Sequence, residues 1–540
     1  MNPYFFCTLI NALFISAFIS CNNVQNEPEN FVEEIVTDTL EVVQPVVEPE
    51  LPDTIFASVE SLVYDITVFD TTIQGNLNNI DDAYANSNNI LCFRGSPFRD
   101  MPFYGKIPGT PTDVTIDWTF ATKYDNVVTS LGVWGGGTGW TGQPLYVEWP
   151  DSLMEQFRLK PELLTEDFDK KEVIVASLCG YLYFINYETG LASRNAIDVK
   201  NPIKGTPMID PTFNGNIYIG QGVPRIRPWG ALVVNMFDHE EKHFFAEDKN
   251  AWRKWGAYDS SPLIVGDFLI RCGENGTIYK FSKDGTSIGL HSTLRYKAKK
   301  SSGAGIESSM AVYKNYGYVG DNHGNVLCIN LNNLQPVWYY NNHDDIDATA
   351  VLELEDGIPY VYFGCEVDRQ GNNGTSYIVK LNGLNGELVW ENRVACSKMY
   401  MGEKHFDGGV YSTPLLGKGN CENLIFTNIC LNNPPASGDF MAIDRTTGET
   451  VYSTKLKHYA WSSPVAILNE NDEMFVITFD TQGRVYIIEG ATGEIILTQK
   501  IGQNFESSPI IMDNKVVIGS RGTKIYKLSI ESEEAPQTEE

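Results

Sequence analysis

Five acidic residues recur at one kind of place in this 540-residue chain. Asp259, Glu307, Asp347 and Glu506 each stand immediately before a small, hydroxyl-bearing dipeptide, and Asp407 lies a few residues ahead of its own. If equivalent positions face one axis, these carboxylates form an acidic ring. Such a ring can hold a divalent cation through hard oxygen ligands or select a cationic ligand. The same groups would equally serve structure, by accepting hydrogen bonds that pin neighbouring strands. Two loops, Trp134-Gly-Gly-Gly-Thr-Gly-Trp140 and Arg225-Ile-Arg227-Pro-Trp229, are candidates to line the same mouth. A glycine run between tryptophans suits a ligand lid or a partner contact.

Other chemistries lack their residues. The seven histidines are scattered, and none falls in a nucleophile elbow or a His-Glu-x-x-His context. There is no Cys-x-x-Cys, so zinc fingers and covalent haem are excluded. A net charge of −29 argues against nucleic acid. Eight cysteines lie beyond the N-terminal segment: Cys92, Cys179, Cys272, Cys328, Cys365, Cys396, Cys421 and Cys430. An even number permits disulfides in an exported chain, and Cys421 with Cys430, which flank an apolar strand, is the first pair to expect. Cys179, Cys328 and Cys365 are expected as buried free thiols on strands.

The elements that position the acids are repeats. A glycine just ahead of an apolar-aromatic strand recurs eight times, at Gly180, Gly230, Gly276, Gly324, Gly374, Gly438, Gly483 and Gly522. The spacing suits a four-stranded antiparallel unit rather than a helical hairpin. Several copies continue into a turn closing with glycine, as in Asn382-Gly-Leu-Asn-Gly386 and Asp444-Arg-Thr-Thr-Gly448. Ahead of each strand stands the hydroxyl dipeptide, often with proline after it: Gly205-Thr-Pro207, Ser260-Ser-Pro262, Ser308-Ser-Met310, Ala348-Thr-Ala350, Ser412-Thr-Pro414, Ser462-Ser-Pro464 and Ser507-Ser-Pro509. Proline is tolerated where an inner strand opens. The fold expected is all-β, an eight-bladed β-propeller over residues 114–530. Its last copy offers only three strands, and Val114 to Thr122 is expected to supply the fourth and close the ring.

A Ser-Ser-Pro strand, a Gly-x-hydrophobic-Tyr strand, an Asp-x-x-Thr-Gly-Glu turn and a Val-Trp pair together resemble the pyrroloquinoline-quinone-like (PQQ-like) propeller repeat. Trp338 and Trp390 match its tryptophan position, and Tyr452 and Leu497 depart from it. Relatives of this kind include quinoprotein dehydrogenases, a barrel-assembly lipoprotein and uncharacterised envelope proteins, so the resemblance is specific to fold rather than function. The dehydrogenases place an adjacent Cys-Cys disulfide beneath the quinone, a tryptophan floor, a calcium ion and an aspartate base. This chain has no adjacent cysteines. The expectation is therefore no catalytic residue and no cofactor, with PQQ and calcium as the alternative.

The N-terminal segment bears on location. Phe5 to Ile19 is an apolar stretch of signal-peptide length ending at Phe18-Ile-Ser-Cys21, which resembles a bacterial lipobox without the usual basic residue ahead of it. Residues 1–20 are expected as a lipoprotein signal and Cys21 as the lipid carrier and membrane anchor. Residues 21–55, with nine acids and no Lys or Arg, read as a disordered tether, and residues 531–540, with five more acids, as a disordered tail. Residues 56–113 are expected to pack on the propeller; Arg94, the first basic residue, and Arg99 would salt-bridge to the acidic body or serve binding. The expected role is a lipid-anchored outer-membrane scaffold in the bacterial envelope with protein partners, including outer-membrane protein assembly by resemblance. The alternatives are a quinone-dependent alcohol or sugar dehydrogenase and a surface glycan or nutrient binder.

Overall fold

Alternating apolar residues bounded by glycine and asparagine turns fold here into eight antiparallel sheets arranged as a propeller. The computed structural model describes residues 54–72, 77, 84, 88–140, 142–151, 161–225, 228–284, 287–402, 404–433 and 435–533. Cys21, the signal segment, the tether as far as residue 53, Arg227 and the last residues of the acidic tail lie outside the described residues. Blades 1 to 7 occupy residues 145–198, 208–246, 263–298, 311–341, 351–397, 415–455 and 465–500 in turn, each with four strands in consecutive order. Every repeated glycine opens or slightly precedes the third strand of its blade. Blade 8 combines three C-terminal strands with Pro111–Ala121, which pairs antiparallel with Lys524–Ser532 and closes the ring. Leu62–Val68 adds a fifth, outermost strand to blade 3.

Neighbouring blades are locked by an aromatic side chain on one fourth strand that packs against the glycine turn of the next blade. Trp338 Nε1 donates to Gly383 O at 2.8 Å, and Trp390 Nε1 to Arg445 O at 2.9 Å. Gly386, at φ +75°, lies so close that a Cβ would come within 2.7 Å of the Trp338 ring. Tyr452 departs in type but keeps the function, since its hydroxyl donates to Gly490 O at 2.7 Å. Trp118, on the closing N-terminal strand, donates to Tyr187 O at 2.9 Å and fills the same position between blades 8 and 1. The seam therefore uses the same joint as the interior of the ring.

At the axis the hydroxyl dipeptides form a girdle of bonds from blade to blade. Backbone N–H groups of Gln143, Ser261, Ser309, Thr413 and Ser463 donate to the hydroxyls of Thr206, Ser309, Thr349, Ser463 and Ser508 respectively, at 2.8–3.1 Å. Ser508 N–H joins blade 8 to blade 1 by donating to Gly142 O at 2.9 Å. At five of the eight junctions a buried amide ahead of an inner strand is thus satisfied by the next blade's hydroxyl, which explains why hydroxyls recur there.

The channel is plugged. Residues 90–107 cross it, and their backbone bonds in turn to Tyr146, Ile209, Val312, Leu352 and Leu468 of five inner strands. Arg94 and Arg99 are fully buried. Their guanidinium groups donate to main-chain carbonyls, Arg94 to Pro464 O at 2.9 Å and Arg99 to Met310 O at 2.9 Å and Phe93 O at 2.8 Å. The expected salt bridges to the acidic body are replaced by these bonds because carbonyls from several blades converge on the two buried guanidinium groups. All eight described cysteines are free and buried. Cys421, which ends the 3-10 turn Gly419–Cys421, and Cys430, on the strand Leu424–Asn433, are the expected pair but sit in separate apolar clusters.

Candidate functional site

In each blade the connection to the next, and the turn between second and third strands, emerge on one face of the ring. The residues singled out from the sequence lie on these segments. Asp259, Glu307 and Asp347 line a small axial cavity together with Trp140, Tyr411, Trp461 and Phe93 of the plug. About 30 Å³ of it is free, room for a couple of waters on a scale of roughly 10–15 Å³ each. A fused-ring quinone does not fit this space, and no adjacent cysteine pair lies beneath it.

The five acids do not form one ring. Asp407 ion-pairs with Lys398 at 2.7 Å beside His405, because it precedes Gly408 and Gly409, whose backbone bridges to Cys430 and Glu366 hold it off the axis. Glu506 turns toward Asn504, which donates to it at 2.8 Å, and toward Arg521 at 3.7 Å. The position before each hydroxyl dipeptide carries other types as well: Lys204, Tyr411 and Trp461 occupy it in blades 2, 6 and 7. Reading that column for every side chain, rather than for acids alone, would have found them.

Lys204 is the hub. It is 7% exposed, bonds to Asp259, lies 3.6 Å from Glu307 and stands 4.3 Å from the centre of the Trp140 ring. Burial opposes its charge, but Asp259, Glu307 and Glu274 outweigh that and raise its pKa. Burial likewise pushes the Glu307 carboxyl up; Lys204, with bonds from Glu274 and Trp140, brings it below its usual range. Trp140 Nε1 donates to Glu307 Oε2 at 3.1 Å. Asp259 is raised by burial to about 6 in spite of Lys204, and Glu274 is raised by burial and by Glu307. The group therefore carries one cation among three carboxyls that share few protons.

Of the two predicted loops, the one from Trp134 to Trp140 reaches the cavity, through Trp140. Trp134 packs edge-on to Trp140 at 6.2 Å, and Trp140 to Trp461 at 5.9 Å. Arg225 ties two segments, donating to Cys179 O at 2.8 Å and pairing with Asp125 at 2.5 Å. Trp229 packs on Trp255 at 4.8 Å, away from the cavity. Between Asp125 and Trp134 the chain forms a small hairpin, Val128–Thr129 with Gly132–Val133, that sequence analysis did not single out. Its Val128 is 77% exposed, and Tyr124, Leu131 and Val133 are also exposed. A second hairpin, Met399–Met401 with Lys404–Phe406, exposes Tyr400 and Met401 on the same face.

Fold and site define an eight-bladed propeller of PQQ-like repeats with a plugged axis and an acidic, aromatic mouth. The family model for outer membrane protein assembly factor BamB matches residues 436–534, from the third strand of blade 6 to the end of blade 8. Among solved structures, a quinohemoprotein alcohol dehydrogenase from Comamonas testosteroni is similar at 11% identity, covering 86% of this chain and 85% of that one, with a TM-score of 0.57. The corresponding enzyme from Pseudomonas putida HK5 is 10% identical, covering 86% and 84%, with a TM-score of 0.55. BamB from Moraxella catarrhalis is 14% identical, covering 69% and 97%, with a TM-score of 0.45. No curated protein matches the sequence.

Proposed function

We propose that this protein is a non-catalytic scaffold of the bacterial cell envelope, lipid-anchored through Cys21, that binds a protein partner on its mouth face. The observation that carries this reading is the pair of apolar hairpins projecting beside a cavity too small for a cofactor. Exposed valine, tyrosine and methionine side chains grouped on one face are what a docking surface offers and what an isolated surface avoids. Eight blades joined by repeated side-chain bonds make that surface rigid, so little ordering entropy opposes association. The match to the BamB family model over the last blades supports a role in outer-membrane protein assembly as the concrete form of this function.

The test is affinity capture of the full-length lipoprotein from its native envelope, in parallel with a Val128→Asp, Val133→Asp variant. Recovery of an outer-membrane assembly component by the wild type, and its loss in the folded variant, is the expected result. Capture unaffected by the two substitutions, or alcohol oxidation after reconstitution with quinone and calcium, would overturn it.

A further inference from the structure

A second carboxyl group, distinct from the Lys204 group, lies where blade 4 passes to blade 5. Asp345 and Asp347 come from the connection 342–350, and Glu366 follows the second strand of blade 5, Ile358–Gly364. Glu366 N–H donates to Asp345 O at 2.8 Å, which fixes the two segments side by side. One carboxylate oxygen from each of the three residues lies within 4.8 Å of the other two.

These carboxyls lack what the first group has. Asp345 Oδ1, Asp347 Oδ1 and Glu366 Oε1 are all buried without a hydrogen-bond partner, and Glu366 is only 4% exposed. None of the three forms an ion pair among the described residues. Lys204 and Lys398 are committed elsewhere, Lys204 to Asp259 and Glu307, and Lys398 to Asp407 and Asp368. Tyr411 and Asp347 bond to the Glu366 carboxyl, yet one buried oxygen of each of the three residues is left without a donor, the arrangement expected around an absent positive charge.

We propose that Asp345, Asp347 and Glu366 bind one divalent cation of the calcium class between blades 4 and 5. An all-oxygen, all-carboxylate donor set selects hard cations over zinc or copper. Oxygens sharing one calcium at ~2.4 Å can stand up to ~4.8 Å apart, whereas magnesium at ~2.1 Å would hold them within ~4.2 Å. The three oxygens lie within 4.8 Å of one another, close enough to share one such ion. Asp347 also lines the axial cavity, so water from the mouth completes the coordination. Without the ion, burial and mutual repulsion hold all three carboxyls well above their usual range. The ion would thus fasten the inner strand of blade 5 to its neighbouring loop. This inference does not depend on the partner-binding reading.

The experiment is titration of the chelator-treated full chain with CaCl2, followed by calorimetry and by thermal unfolding. One calcium per chain and a raised melting temperature are expected, with MgCl2 weaker. Glu366→Gln and Asp347→Asn should each lower calcium affinity by more than the ~10-fold typical of losing an outer-shell group. Asp407→Asn, in the neighbouring Lys398 group, should leave it unchanged. In metal-free buffer Glu366→Gln should melt no lower than the wild type, because an ionisable carboxyl among two others is costly to bury and the amide is not. That control also shows the variant is folded. No binding of either ion at millimolar concentration, or binding undiminished in both Glu366→Gln and Asp347→Asn, would overturn the proposal.

Discussion

Two acidic groups sit a few residues apart around the same axis and solve the same problem differently. In the first, Asp259, Glu274 and Glu307 surround Lys204, and Trp140, Trp255 and the lysine supply donors to every carboxyl, leaving Asp259 Oδ1 alone without one. In the second, Asp345, Asp347 and Glu366 converge with an orphaned oxygen on each. Each group includes acids from one repeat position, Asp259 and Glu307 in the first and Asp347 in the second, so repetition fixes where those side chains stand while their neighbours decide whether charge is met from within. A propeller axis can therefore hold a self-neutralised joint and a cation-requiring one in adjacent blades.

The largest expected effect comes from making the first group like the second. Lys204→Met should cost about 3 kcal/mol or more at neutral pH, measured by urea unfolding, because it leaves buried carboxylates without their counter-ion. Its dependence on pH has a definite sign. Asp259 is raised in the folded state from 3.8 to about 6, so its contribution to stability is complete below pH 3.8 and is lost as pH rises through about 6. Removing Lys204 should carry that loss to higher pH, and Lys204→Met with Asp259→Asn should recover much of it. A melting curve for Lys204→Met that matches the wild type from pH 5 to 8 would erase the contrast between the groups.

A smaller effect separates charge from girdle. Ser463→Ala removes the acceptor for Thr413 N–H without touching either acidic group and should cost about 1 kcal/mol, independent of pH and of calcium. A pH-dependent loss there would mean that the girdle and the carboxyls are coupled. The smallest change is expected from Asp407→Asn. Its pair with Lys398 lies off the axis, where the lysine keeps Asp368 nearby, and the shift should stay within roughly 0.5 kcal/mol.

The blade count and the closing strand were readable because they are repeated: glycine before a third strand and hydroxyl before a first strand answer to backbone needs that recur in every sector. The expected strand Val114 to Thr122 is found as Pro111–Ala121, and Trp118 sits at the repeat's tryptophan position in it. The site was legible only in part. Asp259, Glu307 and Asp347 reach the axial cavity, but Lys204, Tyr411 and Trp461 escaped because attention to acids hid the column they share. Glu274, Asp345 and Glu366 lie outside that column, and only three-dimensional proximity gathers them. The burial of Arg94 and Arg99 depends on carbonyls from distant blades, a pattern with no local sequence signal. The hairpin at Val128 occurs once, so no periodicity marks it.

The seam between residues 111–121 and 524–532 sets the order in which the molecule can be completed. A strand made early must wait, unpartnered, until the final stretch of polypeptide emerges, and no earlier fragment can finish the circle. Assembly is thereby tied to synthesis of the whole chain: a product cut short before Lys524 keeps an open edge available for proteolysis, and an intact one latches shut only as its last strand arrives.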